Sequence, residues 1–562
     1  MGRRLREIAD PFVVAGPAGA RVRTRLKVTA GDAAVLAAAG SHLGSLASAD
    51  LAARCAEGRL DAKGRAASRA ARKRALTAES SSRWAGAITR TSEDSWQLAD
   101  RNLRAGRASL RSRITAIESR LKVPAGTRKG RMRGYATQAE RFGKQRRLQA
   151  LRARLAGLEE RATAGRVSVC RGGRKLAKAR HDLPAAGKTP EQWRREWDAG
   201  RWFLTADGEA GKRLGNETVR WHPDEGWLEV RLPAPLARLA NAPHGRYRLE
   251  CLVSFPYRGD EVAAQTAGGA VRYDISYDPG RDRWYLDASW RAPARPVPEL
   301  KDLRAAPILA VDLNHGHLGA WIVAPDGNPA GPPVTVPLEL AGLPASQRDG
   351  RLRAAVTTLI GLARENGCRT IAVEDLDFTE ARAQGREHAG RRPSRGARGR
   401  RHRAITAGLP TARFRDRLVQ MTANAGLHVI AVDPAYTSRW SAEHWLAPLR
   451  DRDQVTTGHH AAAVVIGRRA HGHRARRRKG VTGGDRRIAA RRAAPRAPRA
   501  GHANRDDGTS KARRQPPRQR NTAPARQDHR PTRQPKTVRG RPPSRYSLPL
   551  SEQERWPWLA SC

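Results

Sequence analysis

The residues best placed to do chemistry are two acids, each at the end of a short apolar run. Asp312 follows the run PILAV, and Glu374 follows the run TIAV. Apolar runs of this length, rich in β-branched residues, predict buried strands. A carboxylate at the end of a buried strand is costly unless it meets a cation. Each acid therefore requires a metal ion or an Arg or Lys partner.

Two acids on neighbouring strands suit phosphodiester hydrolysis. In the two-metal form of that reaction, acids from separate strands converge on ions about 3.5–4 Å apart. Asp312 and Glu374 would supply two such ligands. A third is expected from a later helix, predicted at 458–467, but this segment contains no acid. The alternative is that Asp312 and Glu374 are ion-paired strand ends that bind no metal.

The elements around the acids predict an α/β domain. A strand running into the Asp326-Gly327 turn and a further strand at 334–340 follow the Asp312 strand, and a helix at 349–366 precedes the Glu374 strand. The order strand, strand, strand, helix, strand is that of a ribonuclease-H-like domain. A helix at 411–424, a strand at 427–433 and a helix from about Gly458 complete it.

The chain before this domain divides into a helical and a β-rich part. A basic, alternating strand is predicted at 20–28, and apolar residues every three or four positions predict helices at 33–54, 80–121 and 136–165. The last two form an antiparallel hairpin. Its arginine stripe is either the solvated face of a coiled coil or an arm along a nucleic-acid backbone, and the large positive excess favours the arm.

Between residues 201 and 298, short strands separated by turn signals predict a small antiparallel barrel or sandwich. Many of the aromatic residues fall here, most of them as core. Some could instead stack on nucleic-acid bases.

Composition identifies the expected partner. The 562 residues contain 107 Lys and Arg against 54 Asp and Glu, a net charge of +53. Such an excess predicts a nucleic-acid partner. The Arg-rich loop at 381–406 and the tail at 471–562 are predicted to be disordered. No apolar run is long enough to span a membrane and no signal peptide is evident, so we expect a cytoplasmic protein. The 5 cysteines are scattered singly, which predicts reduced thiols and no zinc ribbon.

Three segments together resemble a known family. AVDLNHGHLGAWIV resembles a first RuvC-type motif, TIAVEDLDF a second, and HVIAVDPAYTS the block before the third, as found in TnpB-type (OrfB-like) proteins of insertion sequences. These proteins are RNA-guided nucleases related to type V CRISPR effectors. The likeness covers roughly residues 305–470 by motif and the remainder by layout alone.

The resemblance implies roles for individual residues. Asp312 and Glu374 would be the first and second metal-binding acids, and His460, or alternatively His459, occupies or adjoins the position of the third. A histidine there suits Mn²⁺ better than Mg²⁺, which prefers oxygen ligands. The family's four-cysteine zinc ribbon is missing. Asp433 is predicted to form a turn, and Asp375 and Asp377 are predicted to be exposed residues that flank the second acid.

The predicted molecule is a multidomain α+β protein. With the family's layout, it comprises an N-terminal segment with a wedge strand (1–30), a helical recognition domain (31–200), a β-rich wedge domain (201–298), a RuvC-like nuclease domain (305–470) and a disordered basic tail (471–562). The predicted function is RNA-guided DNA binding with divalent-metal-dependent DNA cleavage, using Mg²⁺ or Mn²⁺, a guide RNA and a DNA target. The alternatives are a nuclease-inactive guided repressor and a decayed, merely basic nucleic-acid-binding protein. The oligomeric state stays open.

Overall fold

The structure is a computed structural model that describes residues 7–130, 132–292, 296–376 and 411–476. The predicted disordered loop at 381–406, and the predicted tail from residue 477 onward, lie outside these ranges. So does Asp377.

The N-terminal part of the described chain is mainly helical, and the predicted helices are confirmed. Its elements are β1 (Phe12–Val13), β2 (Gly19–Leu26), α1 (Ala30–Ala56), α2 (Ala62–Thr77), α3 (Ser82–Leu121), β3 (Arg128–Lys129), β4 (Met132–Arg133), α4 (Gln138–Thr163), α5 (Arg174–Ala179) and α6 (Pro190–Arg201). α3 is one unbroken helix whose first turn is capped by the Ser81 side chain, which accepts a hydrogen bond from the Trp84 backbone N–H. α2, α5 and α6 were not predicted.

The next part consists of short antiparallel strands, as predicted, with one α-helix that was not predicted. Its elements are β5 (Thr205–Ala206), β6 (Val219–Trp221), β7 (Leu228–Arg231), β8 (Arg246–Arg248), α7 (Gly259–Gly268), β9 (Arg272–Asp278) and β10 (Arg283–Arg291). They form a sheet of order β2-β10-β9-β5 and a second sheet of order β6-β7-β8. α1 and both sheets share one apolar core, which contains Trp221, Tyr273, Trp284 and Trp290. These four aromatic residues are core, as most were predicted to be.

The last part is built on a mixed sheet. Its elements are α8 (Leu300–Arg304), β11 (Ile308–Leu313), β12 (Gly316–Val323), β13 (Pro329–Leu338), α9 (Ala345–Glu365), β14 (Thr370–Glu374), α10 (Thr411–Asn424), β15 (His428–Val432), α11 (Thr437–Trp440), α12 (Leu446–Arg452) and α13 (Gly458–Ala470). The sheet order is β1-β15-β14-β11-β12-β13. On one side of β11, β12 pairs antiparallel with β11 and β13 pairs antiparallel with β12. On the other side, β14 and β15 run parallel to β11. The predicted order of three strands, a helix and a strand is confirmed.

Both faces of this mixed sheet are covered. α9 and α10 pack on the face that carries Leu309 and Val311, and α13 packs on the face that carries Ile308 and Ala310. Coverage of both faces explains why β11 and β14 are continuously apolar rather than alternating.

Two further predictions concern composition. None of the helices in the described ranges has the length and apolar character that a membrane span requires. The four cysteines within those ranges are all free thiols, as predicted.

Candidate active site

The mixed sheet brings Asp312 and Glu374 to the same edge and the same face. β11 and β14 pair in parallel with Val311 opposite Val373, so the next residue on each strand is an acid. Because side chains alternate along a strand, Asp312 lies on the face of Ala310, and Glu374 lies on the face of Ala372. Both alanines belong to the core beneath α13. The two acids therefore share the α13 side of the sheet.

α13 lies unusually close to the strands because glycines line the contact. A Cβ atom at Gly467 would come within 2.8 Å of the Val323 Cβ and 3.0 Å of the Ala310 Cβ. A Cβ at Gly319, which pairs with Asp312, would come within 3.1 Å of the His459 backbone carbonyl carbon. This approach directs the first turn of α13 toward the two acids.

Asp312 is held by two neighbouring side chains. Its Oδ2 atom accepts a hydrogen bond of 2.8 Å from the Asn314 side-chain amide and lies 3.1 Å from His459 Nδ1. An ionised carboxylate only accepts hydrogen bonds, so His459 carries its proton on Nδ1 in this contact. The His459 side chain is 48% exposed and its ring lies edge-on to that of His317, with centroids 5.0 Å apart. While this hydrogen bond persists, His459 can ligate a metal only through Nε2.

Glu374 lies in an environment that opposes its charge. Burial and the neighbouring Asp312 carboxylate raise the pKa of Glu374 from 4.5 to about 7. A hydrogen bond from Thr437 and the positive charge of Arg469 act in the opposite direction but do not outweigh burial and Asp312. Within the described ranges, Asp312 and Glu374 therefore form a pair of carboxylates whose charge Thr437 and Arg469 offset only in part.

Arg469 shapes the loop behind Glu374. Its guanidinium, on α13, donates to the backbone carbonyls of Asp433 and Ala435 and to the Thr437 hydroxyl, the last at 3.2 Å. Tyr436 in this loop has a φ of 64°, a conformation that costs free energy for a residue with a side chain. Arg469 therefore stabilises a strained loop that places the Thr437 hydroxyl against Glu374.

Asp433 forms a turn, as predicted. Its Oδ1 atom accepts from the Ala435 N–H at 2.8 Å, and its Oδ2 atom accepts from the Ala9 N–H at 3.0 Å. Asp375 pairs with Arg415 and is partly exposed, which agrees with its predicted role as a flanking residue.

The structure does not bring His460 to the acids. Its Nδ1 atom accepts from the Thr457 N–H at 3.2 Å, and its Nε2 atom lies 2.8 Å from the Thr335 hydroxyl. Both ring nitrogens are thus engaged in capping α13 and in joining it to β13. Of the two histidines that the sequence offered for the third position, His459 contacts Asp312 and His460 does not, and a metal-ligand role for either stays a prediction.

Sequence reasoning missed Thr437 and Arg469. Thr437 belongs to the VDPAYTS segment, so the motif held a signal for it. Arg469 is one of many arginines and had no distinguishing signal.

The donor set fits a divalent cation in part. Among the described residues, no group of three His, Cys, Asp or Glu side chains could hold a metal ion. Asp312 and Glu374 alone suit Mg²⁺ or Mn²⁺, since Mg²⁺ is commonly bound by one or two carboxylates, with water and substrate phosphates completing its coordination. The repulsion between the two carboxylates is the observation that favours a cation here.

Comparison with known proteins gives distant structural likenesses. No protein-family model and no curated protein matches the chain. Thermus thermophilus RuvC in complex with a Holliday junction substrate is 18% identical, with 30% of this chain and 92% of that chain covered and a TM-score of 0.20. A second T. thermophilus RuvC structure is 19% identical, with 30% of this chain and 93% of that chain covered and a TM-score of 0.18. The Cas12f1–sgRNA–target DNA complex is 10% identical, with 80% of this chain and 99% of that chain covered and a TM-score of 0.31. All three TM-scores lie below 0.5.

Proposed function

We propose that this chain is a transposon-encoded, RNA-guided DNA-binding protein of the TnpB type, with a divalent-metal-dependent DNA endonuclease domain. The observation that carries the chemistry is the juxtaposition of Asp312 and Glu374 on neighbouring parallel strands, with the pKa of Glu374 at about 7. Two mutually repelling carboxylates at a sheet edge are stabilised by a divalent cation and supply oxygen ligands for it.

Asp312 and Glu374 would hold the cation, Mg²⁺ or Mn²⁺. When bound, it supplies electrostatic stabilisation of the attacking and leaving oxygens of the phosphodiester. Asn314 and His459 fix the orientation of Asp312, and Thr437 fixes that of Glu374. Because Glu374 is substantially protonated at neutral pH, binding of a cation must displace its proton, so affinity is expected to rise with pH through about 7.

The nucleic-acid partners are proposed from charge and sequence motif. A net charge of +53 favours a polyanionic partner, and the three motifs resemble those of RNA-guided nucleases. In such a system the protein contacts backbone while base pairing between guide RNA and DNA target reads sequence. We place this activity in the cytoplasm.

A nuclease-inactive, RNA-guided repressor is the second candidate. It is favoured by one observation: Asp312 has an imidazole beside it, where a third acid would complete the set of carboxylates. A third candidate is a decayed, basic nucleic-acid-binding protein, for which neither a defined RNA nor target specificity is expected.

The test begins with the full chain purified together with its bound RNA. The RNA is sequenced, and matching target DNA is incubated with the complex in Mg²⁺ and in Mn²⁺. Cleavage that is lost in Asp312→Ala but kept in Asp375→Ala, an acid beside the site, supports the nuclease. Specific binding without cleavage supports the repressor, and the absence of a defined bound RNA contradicts both.

The identity of the third position has its own test. His459→Asp adds an oxygen ligand beside Asp312 and is expected to raise cleavage in Mg²⁺. His460→Asp serves as the matched control, because that side chain caps α13 and contacts Thr335. A gain in His460→Asp alone would show that the neighbouring histidine is not the relevant one.

A further inference from the structure

The hairpin of α3 and α4 has an apolar seam with two flanks. The seam is built from leucines and isoleucines three or four residues apart, namely Leu110, Ile114, Ile117 and Leu121 on α3 and Leu148, Leu151, Leu155 and Leu158 on α4. This spacing is the a and d repeat of a coiled coil. In an antiparallel pair, the e positions of both helices border one side of the seam and the g positions border the other.

The e side pairs opposite charges, and we call it the paired flank. Arg111 on α3 lies 2.6 Å from Glu159 on α4, and Arg152 on α4 lies 2.6 Å from Glu118 on α3. Interhelical ion pairs at such positions are the usual way in which helices of this kind are matched. The paired flank is therefore electrically neutral by its own residues.

Along the apolar seam, from Arg113 to Arg120 on α3 and from Arg147 to Arg161 on α4, the g positions are arginines, and we call this side the arginine flank. One heptad before Arg147, beyond the end of the seam, the g position is Glu140, which accepts a hydrogen bond from the Ala136 N–H. The members of the arginine flank are Arg113 and Arg120 on α3 and Arg147, Arg154 and Arg161 on α4. Two of them are engaged by the chain itself. The Arg120 guanidinium lies 4.0 Å from the centre of the Tyr135 ring, and Arg161 donates to the Ser168 hydroxyl at 2.9 Å.

The other three arginines place like charges near one another. Within the described ranges, Arg113, Arg147 and Arg154 form no ion pair with an acid. Burial and then the charges of Arg147 and Arg154 lower the pKa of Arg113. Arginines that face one another across a helix pair destabilise it, since like charges at such positions repel.

We propose that Arg113, Arg147 and Arg154 form a binding site for the phosphates of a nucleic-acid backbone. Guanidinium groups bind phosphate oxygens bidentately, and a bound polyanion removes the repulsion between them. Arg147 and Arg154 are seven residues apart, about 10 Å along the helix, which matches about three phosphate steps of one strand. The site depends on the nucleic-acid partner of the proposed function but not on cleavage.

The competing explanation is that these arginines merely keep a solvated helix face soluble. The paired flank argues against it, because the same two helices place glutamates opposite arginines on that side. Solubility gives no reason for the two flanks to differ, whereas a phosphate ligand on one of them does.

The experiment compares two full-length double variants of equal net charge. Arg113→Gln with Arg154→Gln alters the arginine flank, and Arg111→Gln with Arg152→Gln alters the paired flank. Binding of fluorescein-labelled 20-base-pair duplex DNA, and of duplex RNA with the same sequence, is measured by anisotropy at several salt concentrations. EDTA is present throughout, so that no metal-dependent cleavage occurs.

The arginine-flank variant is expected to bind about 10-fold more weakly, and the slope of log K against log salt should fall by about 1 to 2. The paired-flank variant should change affinity less than about 2-fold. A loss with either duplex supports the site and identifies the nucleic acid it prefers. Equal losses in the two variants would overturn the proposal. Failure of the wild-type chain to bind either duplex would instead overturn the proposed function.

A third variant separates binding from folding. Arg113→Glu places an acid opposite Arg147 and Arg154, so it is expected to raise the thermal unfolding midpoint while weakening binding to the duplex. A lower midpoint would mean that Arg113 stabilises the hairpin, and the phosphate site would then be rejected.

Discussion

Two strand-borne acids in different sheets have opposite electrostatic surroundings. Asp287, on β10, is 1% exposed and is contacted by Arg23 at 2.7 Å and Arg21 at 2.8 Å. Burial raises the pKa of Asp287, but the hydrogen bonds from these two arginines outweigh it and hold that pKa below its ordinary value. For Glu374, on β14, burial and Asp312 prevail and raise the pKa to about 7.

The difference separates an acid that is ion-paired within the fold from an acid whose charge the fold opposes. Arg469 is near Glu374, and three of its hydrogen bonds go to the carbonyls of Asp433 and Ala435 and to the Thr437 hydroxyl. Among the described residues, Asp287 thus has two cations in direct contact, whereas Arg469 reaches Glu374 through the Thr437 hydroxyl. An acid whose charge is destabilised in the folded protein is a candidate for a functional site.

The largest effect on stability is expected when Asp287 loses its two arginine partners. Replacing Arg21 and Arg23 together by Met leaves a buried carboxylate without its cations, and we expect the free energy of unfolding to fall by about 3–5 kcal/mol. Urea unfolding at pH 7.5 measures the loss. The control is Arg25→Met on the same strand, an exposed position where a change within about 0.5 kcal/mol is expected. A small loss in the double variant would mean that Asp287 takes up a proton or reaches water.

At Glu374 a substitution that removes the charge is expected to raise the free energy of unfolding, whereas the substitutions beside Asp287 lower it. Its pKa is higher in the folded chain, about 7, than the 4.5 of an unperturbed glutamate, so the folded state binds more protons between these values. The contribution of Glu374 to stability is therefore present below about pH 4.5 and is lost as pH rises through 7. Glu374→Gln removes this loss, so its advantage over wild type should grow from near zero at pH 4.5 to about 3 kcal/mol at pH 8.

Unfolding of wild type and Glu374→Gln at a series of pH values tests this. The difference between the two proteins isolates Glu374 from other titrating groups. A constant difference across the series would contradict the raised pKa.

The position of the two acids at the ends of neighbouring strands could be predicted from the sequence, because it depends only on strand periodicity; their role as metal ligands stays a prediction. Apolar runs ending in Asp312 and Glu374 specify buried strands, and parallel pairing of those strands brings their ends together. The third position depends on finer geometry. His459 and His460 differ by one residue, or about 100° around a helix, and only the packing of α13 on Gly319 decides which faces Asp312.

Other features depend on contacts that no local pattern encodes. The ion pairs of Arg21 and Arg23 with Asp287 join β2 to β10 across most of the N-terminal half of the chain. Arg469 is distinguished from other arginines only by the loop it contacts. α2, a basic helix with no buried residue, lacks the apolar stripe on which helix prediction depends.

A smaller effect is expected from the hydroxyl between Arg469 and Glu374. Thr437→Val keeps the shape of the side chain but removes its hydrogen bonds, so the Glu374 carboxylate loses both orientation and stabilisation of its charge. Outer-shell groups of this kind are typically worth 10–100-fold in metal affinity, about 1.4–2.7 kcal/mol. Mn²⁺ affinity is measured by titration calorimetry. Thr437→Ser, which keeps the hydroxyl, should retain most of it, and equal losses in Val and Ser would point to packing.

The smallest effect is expected when Mn²⁺ is added to the wild-type chain. If Asp312 and Glu374 lack only a cation, then 10 mM Mn²⁺ should stabilise the folded chain at pH 8, by about 1.4 kcal/mol for a dissociation constant near 1 mM. EDTA should reverse the shift, and Mg²⁺ should give less if the imidazole of His459 takes part. Asp312→Asn should abolish the shift, whereas Arg25→Met, on the other sheet, should keep it. An equal shift in Asp312→Asn would show that the stabilising cation binds elsewhere, because this substitution alters only the site formed by Asp312 and Glu374.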